Sequence, residues 1–209
     1  MKEHNVRQRP AEAGISVVEM LIVACVLVII SAIALPQIIS ARRVHRFKAL
    51  AHEITSELRR TRQLAMSQRQ VFRFRYDDAN KRIVIIDNQG RGTAANPLAN
   101  DPNDDRVVST VSLAGAGVPA GDIVYGRPGG APASLPDGTA LTAPAGSLVE
   151  IVFQPDGSVL DANGNPASAA LFLYNRQEPA DSAIAVSVLG AGGRVKSWRY
   201  SRNVNRYVN

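Results

Sequence analysis

Cysteine is nearly absent from this chain: among its 209 residues only Cys25 carries a thiol. No intrachain disulfide is possible, and a lone thiol inside an apolar run reads as a small packing residue. Histidine is equally scarce, confined to His4, His45 and His52. Everything after residue 52 therefore lacks both His and Cys, which excludes a Ser-His-Asp or Cys-His nucleophilic centre there. His45 and His52 stand seven apart on a helical pattern, too far to share one ion. The run Gly126-Arg127-Pro128-Gly129-Gly130 lacks the Lys-Ser/Thr ending of a phosphate loop. No enzyme and no cofactor are expected.

Acid is missing where base collects. The last twenty residues hold Arg194, Lys196, Arg199, Arg202 and Arg206 without one Asp or Glu. The segment from Arg42 to Arg69 is also basic, with only Glu53 and Glu57 against it, whereas the region between is slightly acidic. A basic end attracts phosphates or acidic partners, or serves as a solubilising face.

Long apolar runs are missing too, with one exception. From Ile15 to Leu35 only Ser16, Glu19 and Ser31 are polar. Such a run suffices for one membrane-spanning helix, because a hydrocarbon core of roughly 30 Å needs about 20 residues. Glu19 is the anomaly. A carboxylate there costs about 2.5–3.5 kcal/mol on insertion scales, so a partner and a purpose are expected. The polar leader, residues 1–14, carries Lys2, Arg7 and Arg9 and ends in Ala13-Gly14. A secretory signal is cut after its apolar region. Here the small-residue site precedes it, so a cut after Gly14 leaves the helix on the mature chain and a new amino group on Ile15. Lys and Arg flank the run on both sides, which gives the positive-inside rule no vote.

Beyond Pro36, where a kink or local unwinding is expected, a second helical pattern runs to about Gln68. Val44, Phe47, Ala51, Ile54, Leu58, Thr61 and Ala65 recur at steps of three and four, and Leu50 and Leu64 widen the stripe. Arg46, Glu53, Glu57 and Arg60 take the opposite face. From Phe47 onward this stripe is expected to cover a sheet of the same chain. After Gln70 the period becomes two. Val71–Tyr76 and Lys81–Asp87 read as a hairpin joined by Asp77-Asp78-Ala79-Asn80. Further strands are expected at 106–113, 122–125, 148–154, 170–174, 183–189 and 194–200. Residues 88–105 read as loop and 114–146 as irregular, extended chain. Pro155-Asp156-Gly157 should turn the chain back into 157–160. The fold class is α+β, a long N-terminal helix on a mostly antiparallel β head. The expected segments are leader 1–14, membrane and assembly helix 15–36, amphipathic stalk 37–69 and β-rich head 70–209.

The stretch Gly14-Ile15-Ser16-Val17-Val18-Glu19, with Pro36 near the helix exit, resembles the class III signal of type IV pilins and type II secretion pseudopilins. Three further stretches resemble the narrower group of H-type minor pseudopilins and related minor pilins. They are Leu58–Phe74, Ile151–Ser158 with its Phe-x-Pro-x-Gly turn, and Gly193-Arg194-Val195. The resemblance implies a pilin-like fold, cleavage after Gly14 by a prepilin peptidase and N-methylation of Ile15. It implies assembly with other pilins or pseudopilins through the apolar helix, with Glu19 neutralised by a neighbour's Ile15 amine. It also implies a single-pass inner-membrane protein, in contact with lipid, whose leader is cytoplasmic and whose head is periplasmic. The function it implies is that of a minor pseudopilin of the type II secretion pseudopilus, which drives proteins across the outer membrane. The alternative is a minor pilin that binds DNA for uptake or primes pilus assembly.

For that alternative the candidate contacts are Arg194, Lys196, Trp198 and Arg199. In an extended strand Arg194, Lys196, Trp198 and Tyr200 share one face, mixing cations with rings able to stack on bases. Equally, Trp198 can close a core while the cations face solvent. Two Asp-rich stretches, Asp101–Asp105 and Asp161–Asn165, invite comparison with calcium loops. The second has Phe172 at the twelfth position and Pro166 where Gly is required, so turn chemistry is the reading and no metal site is expected.

Overall fold

The computed structural model describes residues 16–88, 105–116, 118–161 and 163–209. Gly14 and Ile15, with the leader, lie outside the described residues, as do Asp101, Asn103 and Asp104. The chain divides into two compact units, Met1–Ile39 and Ser40–Asn209. Helix α1, Val17–Gln68, contributes its first part to one and its second part to the other.

In the first unit the helix is apolar on every side, and its large side chains from Val17 to Ile39 are exposed. It is one helix long and apolar enough to cross a membrane. The helix assignment runs through Pro36, so the local unwinding expected there is absent.

In the second unit α1 is amphipathic. Phe47, Leu50, Ala51, Ile54, Leu58, Thr61 and Ala65 are buried as the stripe predicts. The buried hydroxyls are satisfied within the helix: Thr55 Oγ1 donates to the Ala51 carbonyl and Thr61 Oγ1 to that of Glu57, each at 2.7 Å. The helix ends without glycine. Arg69 takes the left-handed conformation at φ 53°, and the Gln70 N–H closes back on the Ala65 carbonyl at 3.2 Å, as in a Schellman cap.

Two antiparallel sheets make the head, in keeping with the mostly antiparallel β head that the sequence suggests. The first has the order β3-β2-β1-β5 and the second β4-β6-β7-β8-β9. In the first, β1 (Phe72–Asp77) and β2 (Arg82–Asp87) form the expected hairpin, β3 (Arg106–Ser112) lies outside β2, and β5 (Leu148–Phe153) lies outside β1. In the second, β4 (Ile123–Tyr125), β6 (Ala169–Asn175), β7 (Ile184–Leu189) and β8 (Arg194–Ser201) match expected strands. The sequence reading missed β9 (Arg206–Val208), which pairs with β8, and α2 (Pro179–Ser182), a single turn before β7. Both are too short for a periodic signal.

The main core joins the α1 stripe to the inward residues of both sheets. Phe72, Phe74 and Tyr76 come from β1, Ile151 and Phe153 from β5, and Val186, Val188 and Val195 from β7 and β8. Strand alternation turns Arg73 and Arg75 to the opposite face of β1. There Arg75 Nε meets Glu150 Oε1 at 2.6 Å, while buried Arg73 pairs with Asp105 at 3.6 Å. A second core lies on the other face of the second sheet, where Ala131 and Leu135 of the irregular span cover Ala170, Phe172, Ala185, Trp198 and Tyr207.

The Pro155–Gly157 turn forms as expected, with the Gly157 N–H bonded to the Gln154 carbonyl at 2.8 Å. Asp156 Oδ1 accepts from the Ser158 N–H and Oγ. The returning segment makes only isolated bridges, Val159 to Phe153 and Leu160 to Pro166, rather than a strand. Asp161 likewise accepts the Asn163 and Asn165 N–H groups, each at 2.9 Å, which is turn chemistry.

Candidate functional site

Two regions carry the candidate residues. The first is the start of α1. The Val18 N–H donates to Ser16 Oγ at 3.3 Å, and the Met20 N–H to the Ser16 carbonyl at 3.1 Å. Ser16 therefore caps the helix, and Glu19 stands three residues later, where a capping box carries its acid. The Ser-x-x-Glu spacing is legible in the sequence and gives Glu19 a second reason for its position. It lies near the positive end of the helix dipole. Glu19 is exposed, with no ion pair among the described residues.

The second region is the basic end. Strand β8 does not gather Arg194, Lys196, Trp198 and Arg199 into one surface. Trp198 is only 8 % exposed and sits in the second core. Its Nε1–H donates to Ser187 Oγ at 2.9 Å, and Ser187 Oγ donates to Asp137 Oδ2 at 2.7 Å. Burial pushes the Asp137 carboxyl up, but bonds from Ser187 and Thr139 and the charge of Lys196 outweigh it, holding the group below the usual carboxylate range. The Lys196 ammonium lies 5.4 Å from the Trp198 ring centroid, a cation–π distance. Tyr200 donates to Asn205 Oδ1 at 2.7 Å and packs on Tyr207. Burial, with Tyr200 beside it, pushes the Tyr207 phenol up to about 12. The rings are structural. Arg199 lies on the opposite side of β8 and lines a small cavity with Lys48 and His52.

What the structure does bring together is the set of three stretches outside the N-terminal signal. Arg62 Nε donates to the Gly157 carbonyl at 3.3 Å. A Cβ added at Gly157 would lie 2.8 Å from Met66 Sδ, and one at Gly193 would lie 1.9 Å from the Gly157 oxygen. Both glycines have positive φ, 82° and 56°. Helix end, Pro-Asp-Gly turn and β7–β8 turn thus meet at a contact that admits no side chain at Gly193.

Beside this contact an open cleft of about 850 Å³ runs between α1 and the β7–β8 turn. Arg59, Arg62, Gln63 and Ser67 line it from the helix, and Gly192 and Arg194 from the turn. Among the described residues no carboxylate lines it. The sequence names Arg194 as a candidate contact and Arg62 only as part of the Leu58–Phe74 stretch, with no role for Arg59. The signal was present in the helical spacing of two arginines beside the stripe, while their meeting with residue 194 is tertiary.

Two solved structures resemble this fold. One is the type IV minor pilin FimU of Pseudomonas aeruginosa, 14% identical, with a TM-score of 0.41 over 73% of this chain and 87% of that one. The other is the minor pseudopilin EpsH from the type 2 secretion system of Vibrio cholerae, 17% identical, with a TM-score of 0.39 over 72% of this chain and 94% of that one. No protein-family model and no curated protein matches the chain.

Proposed function

We propose that this chain is a pilin-type assembly subunit, a minor pseudopilin of a type II secretion pseudopilus that takes part in protein export. The observation that carries this reading is the first half of α1. It is apolar on all sides, exposed along its length, and interrupted by Glu19 one turn from its start. Such a surface is stable only in lipid or against like helices. A carboxylate at that depth is best accommodated by a partnering cation, and the amine released on Ile15 by cleavage after Gly14 supplies one on a neighbouring subunit. Before cleavage the helix anchors the chain in the inner membrane, with the leader cytoplasmic and the head periplasmic. Afterwards it packs the subunit into a fibre.

A minor pilin of a type IV pilus is the alternative on the same scaffold. Its DNA-binding form loses support from β8, because Trp198 is enclosed and Arg199 lines a different cavity from Arg194. Co-expression with a prepilin peptidase tests the proposal directly. Mass spectrometry is expected to find a chain beginning at N-methylated Ile15, and Gly14→Glu is expected to leave the leader attached. A chain that retains Met1, or is cut after the apolar run, would sink it. Glu19→Ala is then expected to be processed normally yet to be absent from sheared fibres.

A further inference from the structure

We propose that the cleft between the end of α1 and the β7–β8 turn docks an acidic peptide segment of a partner protein. The proposal does not depend on the fibre reading. Three guanidinium groups, of Arg59, Arg62 and Arg194, face one space whose walls, among the described residues, carry no carboxylate. None of the three has an ion pair among the described residues. Arg62 is held in place, because its Nε–H donates to the Gly157 carbonyl. Its two terminal nitrogens carry no bond among the described residues. Pre-positioned guanidinium forks suit planar, two-oxygen acceptors, and carboxylates fit them in paired hydrogen bonds.

The rest of the cleft fits a peptide. Gln63 and Ser67 are exposed on its helix wall and offer donors and acceptors to main-chain amides. Gly192 leaves the opposite side open, since a Cβ there would meet nothing within 4 Å. The volume lies toward the upper end of the range for ligand clefts, about 300–1,000 Å³, enough for a few residues and too small for a folded domain. A single-stranded nucleic acid fits less well. It gains much of its affinity from rings that stack on bases, and among the described residues no aromatic one lines the cleft. The nearby Trp198 is buried, with Lys196 drawn over its ring.

The full chain in detergent micelles tests this, with a fluorescent hexaglutamate peptide, its hexaglutamine counterpart and an oligonucleotide of equal charge as probes. Hexaglutamate is expected to bind at low salt, to weaken as salt rises, and to bind on the order of tenfold more weakly to the double variant Arg59→Gln/Arg194→Gln. Both side chains are exposed, so the thermal midpoint of that variant should match the parent. Arg62→Lys, which keeps the charge and loses the fork, should weaken binding several-fold. No binding at low salt, equal binding by parent and double variant, or equal binding of hexaglutamine would overturn the proposal. Tighter binding of the oligonucleotide would do the same and would make the cleft a nucleic-acid site.

Discussion

The two halves of α1 are built from similar apolar residues, yet they live in different surroundings. Between Val17 and Ile39 the helix turns Val, Leu and Ile outward on all sides. Between Phe47 and Ala65 the apolar residues are confined to one stripe, and the head covers them. The difference lies in the pattern rather than in the amount of hydrophobicity. A stripe needs one covering surface, which the same chain provides. A cylinder needs covering all round, which lipid or other helices must provide. One continuous helix therefore serves as the spine of a head and as a surface for something outside it.

The sharpest way to break this comparison is to truncate a side chain in each half. Phe47→Ala, at a fully buried position, is expected to cost about 3–5 kcal/mol of head stability. Leu27→Ala, at a position 58 % exposed, should stay within about 0.5 kcal/mol. Urea unfolding of the full chain in detergent, followed by near-UV circular dichroism, reads both. Equal losses would show that the covered half is not the one that holds the head.

A smaller effect should come from the glycine contact that closes the head over the end of the helix. Gly193→Ala places a methyl group against the Gly157 oxygen at positive φ, which should cost about 2–3 kcal/mol. Gly192→Ala meets nothing within 4 Å and should be nearly silent in the same urea unfolding measurement. If the two behave alike, the close approach is not a real constraint.

The smallest effect concerns charge on the covered half. Burial, and then the neighbouring Glu57, push the Glu53 carboxyl above its ordinary value. A folded-state acid with a raised pKa binds its proton more tightly than the unfolded chain does. Its contribution therefore falls as pH rises through the window above about 4.3, the unfolded value. Glu53→Gln removes that penalty. Its midpoint should exceed the parent's at pH 7 by an amount equivalent to a few tenths of a kcal/mol, given the exposure of the site. The gain should vanish below about pH 4. A gain that persists at acid pH would assign the effect to something other than ionisation.

Much of this architecture was legible locally. The stripe from Phe47 to Ala65 is read from spacing alone, because one turn of helix brings residues three and four apart onto one face. Eight of the strands showed as β-rich runs between turn residues. The second core was not legible. Ala131 and Leu135 come from a span of Gly, Pro and Ala with no period, and nothing local says that they cover Trp198 and Phe172. The same holds for the basic residues. Strand alternation alone would have parted Arg199 from Arg194, but only the covering layer decides that Trp198 is enclosed.

By itself, the sequence determined the apolar cylinder that begins at Ile15, the position of Glu19 one turn into it, the stripe that follows, and a β-rich head without His or Cys. These depend on composition and short-range period, and both are properties of neighbours along the chain. Only the tertiary structure decided that the head has two sheets, that Trp198 closes a core, and that Arg59, Arg62 and Arg194 face one cleft beside Gly157 and Gly193. Those facts join residues from a few tens to about 130 positions apart, and a meeting at such separations is set by packing of whole elements, which no local pattern encodes.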